Sequence, residues 1–101
     1  VYSKIQRTAE IVAKSFVSNL SNRKKNEITN INQILIEAKK QLNSNSISNF
    51  GYLLNESWKV KRTLSKKVTN NKIDQLYDQA ISSGSDGGKL LGAGGGGFFV
   101  F

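Results

Sequence analysis

Residues 87–101 read GGKLLGAGGGGFFVF. Two short, mainly apolar runs, Lys89-Leu90-Leu91 and Phe98-Phe99-Val100-Phe101, flank Gly92-Ala93-Gly94-Gly95-Gly96-Gly97. Glycine has no Cβ, so it takes positive φ and lets another backbone or a ligand approach closely. Each ordered glycine also costs about 0.5–1 kcal/mol more than alanine in regular structure. Five glycines in six positions, between segments that favour burial, are therefore not expected to be a tether. A solvated linker mixes in serine or charge. The spacing by itself predicts a glycine-rich hairpin or bulge that lets a sheet and its neighbour pack closely.

Two nucleotide-binding motifs overlap this stretch formally. Gly92-x-Gly94-x-x-Gly97 has the dinucleotide spacing, but that fingerprint needs a strand before it, a helix after it and an acidic residue about twenty positions on. Here a β-like run follows and the sequence stops four residues later. The Walker A pattern fails as well. Leu90 stands where Ser or Thr must follow Gly88-Lys89, and Ser83 stands where the first glycine belongs.

At 101 residues the chain is one domain, near the lower limit for a self-sufficient core. It has no Cys and no His, which excludes a disulfide scaffold, the usual zinc sites, a thiol nucleophile and the commonest general base. The lack of Cys agrees with a cytoplasmic location. No apolar run approaches the ~20 residues of a membrane span, and no signal-peptide pattern occurs. There is also no Met. Val1-Tyr2 reads as the tail of a strand begun upstream, and residues 98–101 as a strand cut short.

Helical periodicity fills the middle. Ile5, Ala9, Val12, Phe16 and Leu20 form a first apolar stripe, ended by the polar break Ser21-Asn22-Arg23-Lys24-Lys25-Asn26. Ile28, Ile31, Leu35, Ala38 and Leu42 form a second. Ser46 or Ser48 is placed to cap a third helix reaching about Lys67, with Phe50, Leu53, Leu54, Val60 and Leu64 inward. After Thr69-Asn70-Asn71 a fourth carries Ile73, Leu76, Tyr77, Ala80 and Ile81, and Gly84 is placed to end it. The expected fold class is α+β, about four helices on a small antiparallel sheet whose visible strands are the two chain ends.

The net charge is +8. Between Glu56 and Asp74 every charge is positive, and Lys59, Arg62 and Lys66 fall on one helical face. Such a face is either simply solvated or a local field for an anionic small molecule. Nucleic acid is disfavoured, because Phe50, Tyr52 and Trp58 are explained as core and no RNA or DNA motif is present. Arg7 and Thr8 sit where a strand-like segment meets a helix, a common place for ligand contacts, although Thr8 also suits a helix start. Lys61 and Arg62 are candidates for holding a phosphate, Arg by a bidentate fork. The alternative is a surface pair with Glu56 or Asp74, worth only about 0–1 kcal/mol. Glu56 and Asp74 are not expected to be catalytic, since they lie on separate helices with no partner motif.

The stretch Gly84-x-x-Gly87-Gly88-Lys89-Leu90-Leu91-Gly92-Ala93-Gly94-Gly95-Gly96-Gly97-Phe98 resembles the C-terminal glycine motif of the GHMP kinases, the relatives of galactokinase, homoserine kinase and mevalonate kinase. Ile5-Gln6-Arg7-Thr8-Ala9, Asn55-Glu56-Ser57-Trp58-Lys59-Val60-Lys61-Arg62-Thr63-Leu64-Ser65 and Ile73-Asp74-Gln75-Leu76-Tyr77 resemble the heptose kinase branch, in the same order. That branch phosphorylates D-glycero-D-manno-heptose 7-phosphate. The resemblance implies a ferredoxin-like C-terminal domain over residues 1–101, with ATP and Mg²⁺ as cofactors. No Gly-Ser-Ser phosphate loop occurs in this sequence. The resemblance therefore implies that the nucleotide loop and the metal ligands belong to an N-terminal half, the partner of this piece, which alone is expected to be inactive.

On this reading Gly92, Ala93, Gly94, Gly95, Gly96 and Gly97 support the nucleotide phosphate loop. Arg7, Thr8, Lys61 and Arg62 hold the acceptor's phosphate, and neither a membrane nor nucleic acid is a partner. Two alternatives stay open: the same fold acting on galactose, a mevalonate derivative or homoserine, and a non-catalytic α+β interaction module whose glycine hairpin docks a protein.

Overall fold

The computed structural model describes residues 1–17 and 25–101. Leu20 and residues 21–24 of the expected polar break lie outside the described residues. Among the described residues, the order is α1 (Ala9–Val17), α2 (Lys25–Asn43), α3 (Phe50–Leu64), α4 (Asn71–Ser82), β1 (Lys89–Leu90) and β2 (Phe99–Val100). The class is α+β, as the sequence led us to expect. β1 and β2 pair antiparallel, with Lys89 opposite Val100 and Leu90 opposite Phe99. The other side of β2 takes the first residues of the chain, through a Tyr2–Phe98 bridge and the bond from the Ser3 amide to the Gly97 carbonyl, 2.8 Å. Both chain ends thus lie in one small sheet.

The core gathers Val12 of α1, Trp58 of α3, Val68, Ile73 and Tyr77 around α4, and Leu90 and Phe99 of the sheet. Trp58 is fully buried, and its ring meets Phe99 edge-on at 6.2 Å and Tyr77 at 6.3 Å. It is core and not a stacking surface. Such aromatic contacts add about 0.5–1.5 kcal/mol each beyond area burial.

Local chemistry sets the helix ends. Asn70 caps α4: its side-chain oxygen accepts from the amides of Lys72 and Ile73, both at 3.1 Å, satisfying donors that the first turn leaves orphaned. Gly84, at φ +97, closes α4 while the Ser85 amide reaches back to Ala80. Asn45, at φ +57, does the same for α2, with the Ser46 amide on the Gln41 carbonyl.

Several expectations need correction: Tyr52, read as core, is 58% exposed, and Ile5 lies before α1 and not on it. Neither Ser46 nor Ser48 caps α3; their hydroxyls bond each other at 3.2 Å, and Asn49 occupies the cap position without a side-chain bond. The helix also stops at Leu64 and not near Lys67, because Ser65 is extended (φ −162, ψ 146) and its hydroxyl accepts from the Lys67 amide. Lys66 therefore does not share a helical face with Lys59 and Arg62. Lastly, the apolar stripe of α2 is rotated. Glu27, Ile31, Ile34, Ala38 and Gln41 are its half-buried positions, whereas Ile28, Leu35 and Leu42 are 39%, 64% and 56% exposed. The apolar arc of α2 is wider than the flank that α3 covers.

Candidate functional site

Residues 92–97 leave β1, cross the end of the core and enter β2. Gly94 and Gly95 are buried, and Ala93, Gly96 and Gly97 are half-buried. Besides the Ser3–Gly97 bond already described, four bonds stitch the loop down. The Gly95 amide donates to the Val68 carbonyl at 2.7 Å, and the Gly97 amide to the Ile5 carbonyl at 3.0 Å. The Asn70 side-chain Nδ2 donates to the Gly95 carbonyl at 3.5 Å, and the Lys61 ammonium donates to the Gly92 carbonyl. Glycine is needed here for a reason that can be measured. At Gly94, φ is +109 and an added Cβ would stand 2.8 Å from the Val68 oxygen. At Gly96 a Cβ would run into the Ile5 carbonyl. Backbone lies against backbone, which only glycine permits.

Beside the loop is an open groove of about 670 Å³, lined by Ile5, Gln6, Arg7, Thr8, Gly96 and Gly97, with Tyr2 and Phe98 at its rim. The rim rings stack at 4.8 Å and remain 42% and 57% exposed. Thr8 stands just before α1, and its carbonyl accepts from the Ile11 amide at 3.1 Å. Arg7 is exposed, and its Cδ lies 3.5 Å from where a Gly95 Cβ would stand. The structure thus brings Arg7, Thr8, Gly96 and Gly97 to one groove.

Lys61 and Arg62 do not line it. The Lys61 ammonium is half-buried between α3 and the sheet, where it donates to the Leu90 carbonyl at 3.1 Å and to that of Gly92. Burial, reinforced by the Lys89 charge, lowers its pKa from 10.5 to about 8. Lys89 is itself lowered by burial and bonds the Ser57 hydroxyl at 2.9 Å. Arg62 pairs with Asp74 at 3.2 Å and lies over the Trp58 ring, 5.9 Å from its centroid. Thr69 donates to the same Asp74 oxygen at 2.6 Å. Lys59 pairs with Glu56 at 2.8 Å, and that hydrogen bond, followed by the Glu56 charge, raises its pKa. Both carboxylates that a sequence reader would test for catalysis are thus engaged with cations of α3.

Sequence reasoning missed Asn70, Val68 and Lys89. The run Thr69-Asn70-Asn71 before an apolar stripe is a cap signal that pointed to Asn70. Nothing local marks Val68 or Lys89, whose roles depend on a loop more than twenty residues away or on a neighbouring helix.

Residues 38–101 match the family described as GHMP kinases C terminal. Over 71 residues, 70% of this chain, the sequence is 35% identical to a Campylobacter jejuni protein named D-glycero-alpha-D-manno-heptose 7-phosphate kinase. The matched part is 21% of that relative, so the chain spans about a fifth of its length. No solved structure matches the chain. With the family match covering well over half of the residues and including the whole glycine loop, the chain belongs to the GHMP kinase C-terminal family.

Proposed function

We propose that this chain is the C-terminal part of an ATP-dependent sugar kinase that phosphorylates a heptose phosphate at its anomeric hydroxyl, in the cytoplasm. The observation that carries the reading is the loop of residues 92–97, pinned by Val68, Ile5 and Lys61 beside a groove that presents Arg7 and Thr8. The name of the 35% identical relative supports the acceptor class.

Phosphoryl transfer asks a protein mainly for positioning and charge neutralisation. The glycine loop is a rigid wall with little side-chain bulk, suited to abut the phosphate loop of an N-terminal half. Arg7 offers a planar fork to the acceptor's phosphate, and Thr8 a hydroxyl at the same groove. Lys61 and Arg62 serve the site from behind, through the loop and the turn beneath it. Among the described residues no group of three or more carboxylates could hold a metal, and Glu56 and Asp74 are already paired. The Mg²⁺ ligands are assigned on this reading to the N-terminal half.

The test is an acceptor panel with γ-labelled ATP on the full-length protein: D-glycero-D-manno-heptose 7-phosphate, galactose, mevalonate and homoserine. Transfer to the heptose phosphate above all others is expected. Preference for another acceptor keeps the kinase and removes the heptose. No transfer to any of them favours the interaction module.

A further inference from the structure

Lys61 belongs to the last turn of α3, yet its ammonium does not point to solvent or to the groove. It bridges two carbonyls, Leu90 at the end of β1 and Gly92 at the start of the loop. Between them the Leu91 amide donates to the Phe98 carbonyl, just before β2, at 2.8 Å. Beyond that point the chain leaves the ladder, and Gly92 turns at φ +69. Because Leu91 faces the partner strand, the carbonyls of its neighbours Leu90 and Gly92 point to the free edge of β1, where no strand receives them, and Lys61 supplies a charge-assisted donor. Holding a half-buried cation next to Lys89 is unfavourable, so the two carbonyls are what keep the ammonium there.

We infer that Lys61 is a positioning residue for phosphoryl transfer: by gripping the Leu90 and Gly92 carbonyls it fixes where the glycine loop begins, and it does not touch the acceptor. This rests on the kinase reading for its catalytic half and on hydrogen bonds alone for its structural half. It separates Lys61 from Arg7, which is exposed and lines the groove.

The experiment uses Lys61→Met, which keeps the methylene stem without the ammonium, and Lys61→Arg, which keeps a cationic donor. Both are made in the full-length protein, with far-UV circular dichroism as a check of folding. Amide exchange at Gly95 and Gly97 is measured without ligand, and kcat and KM with heptose 7-phosphate. For Lys61→Met, exchange is expected to speed up about tenfold, the order expected for losing one charged hydrogen bond. kcat is expected to fall about tenfold with KM within about twofold, as for a group acting only on transition-state geometry. Lys61→Arg should restore exchange to within about threefold of wild type.

Unchanged exchange in Lys61→Met overturns the loop lock whatever the activity. A KM raised about tenfold at constant kcat overturns the positioning role in favour of direct contact. Faster exchange in a protein that turns over no acceptor supports the lock and overturns the kinase reading.

Discussion

The Gly95 amide donates to the Val68 carbonyl at 2.7 Å, and this one bond ties the glycine motif to the turn between α3 and α4. Val68 is fully buried and is held in turn by the Ser65 carbonyl, which accepts from its amide at 3.1 Å. Two residues on, Asn70 caps α4 and also reaches the Gly95 carbonyl. The glycine loop is therefore fastened to a fully buried core residue and to the cap of α4.

Gly94→Ala and Gly92→Ala test that fastening. At Gly94 an alanine faces φ +109 and the Val68 oxygen at 2.8 Å, whereas at Gly92 (φ +69) a Cβ meets open space. We expect a loss of about 2–4 kcal/mol for Gly94→Ala, from backbone strain plus overpacking. Gly92→Ala should cost only about 1–2 kcal/mol, from the left-handed backbone. Denaturant unfolding of the full-length protein measures both, and an equal or reversed ranking contradicts the packing described.

Asn70 separates capping from loop contact. Asn70→Ala removes the acceptor for Lys72 and Ile73 and should cost about 1 kcal/mol, within a range of about 0.5–2. Asn70→Asp keeps the acceptor and should retain most of the stability while losing the amide donor to Gly95. Thermal melts showing the two variants equally destabilised would mean that the cap contributes nothing.

Trp58 closes the core and carries an indole N–H with no hydrogen-bond partner among the described residues. Truncation to Ala should cost about 3–5 kcal/mol. Trp58→Phe keeps much of the volume and removes the orphaned donor, so its cost should be well below that of Ala. Urea denaturation ranks the pair.

How much of this was legible beforehand differs by element. The extent of α4 was readable, because its signals are local: the polar run Thr69-Asn70-Asn71 before the first apolar residue and a glycine after the last, although Asn70 was not singled out as the cap. The buried side of α2 was not. Ile28, Leu35 and Leu42 keep the same period as the residues that face α3, and only the position of α3 decides which flank is covered. The end of α3 was hidden too, since no Gly or Pro follows Leu64 and Ser65 stops it by turning extended. At the candidate site, the close packing of the glycines could be read from residue type and spacing. Lys61 could be read only as a charge; that backbone carbonyls receive it is a fact of the fold.

The Lys61 ammonium gives a pH signature. Its native pKa of about 8 lies below the 10.5 of an ordinary lysine, so between those values the native state binds fewer protons than the unfolded one. Stability from this residue accordingly rises as pH increases from about 8 towards 10.5. Lys89, also lowered, acts in the same direction, while Tyr77, raised mainly by burial, opposes it only above about pH 10. The stability of wild type relative to Lys61→Met should therefore improve between pH 8 and 10. A flat difference over that range argues against the buried ammonium.

The most direct test of the whole account is γ-phosphoryl transfer from labelled ATP to D-glycero-D-manno-heptose 7-phosphate by the full-length protein, wild type against Gly95→Val. At Gly95 (φ +76) a side chain would crowd the Lys67 carbonyl at 3.0 Å and Val12 at 3.1 Å, lifting the loop from its seat. The account predicts turnover by wild type and a kcat lower by about tenfold or more in the variant. Equal turnover by both proteins would contradict it.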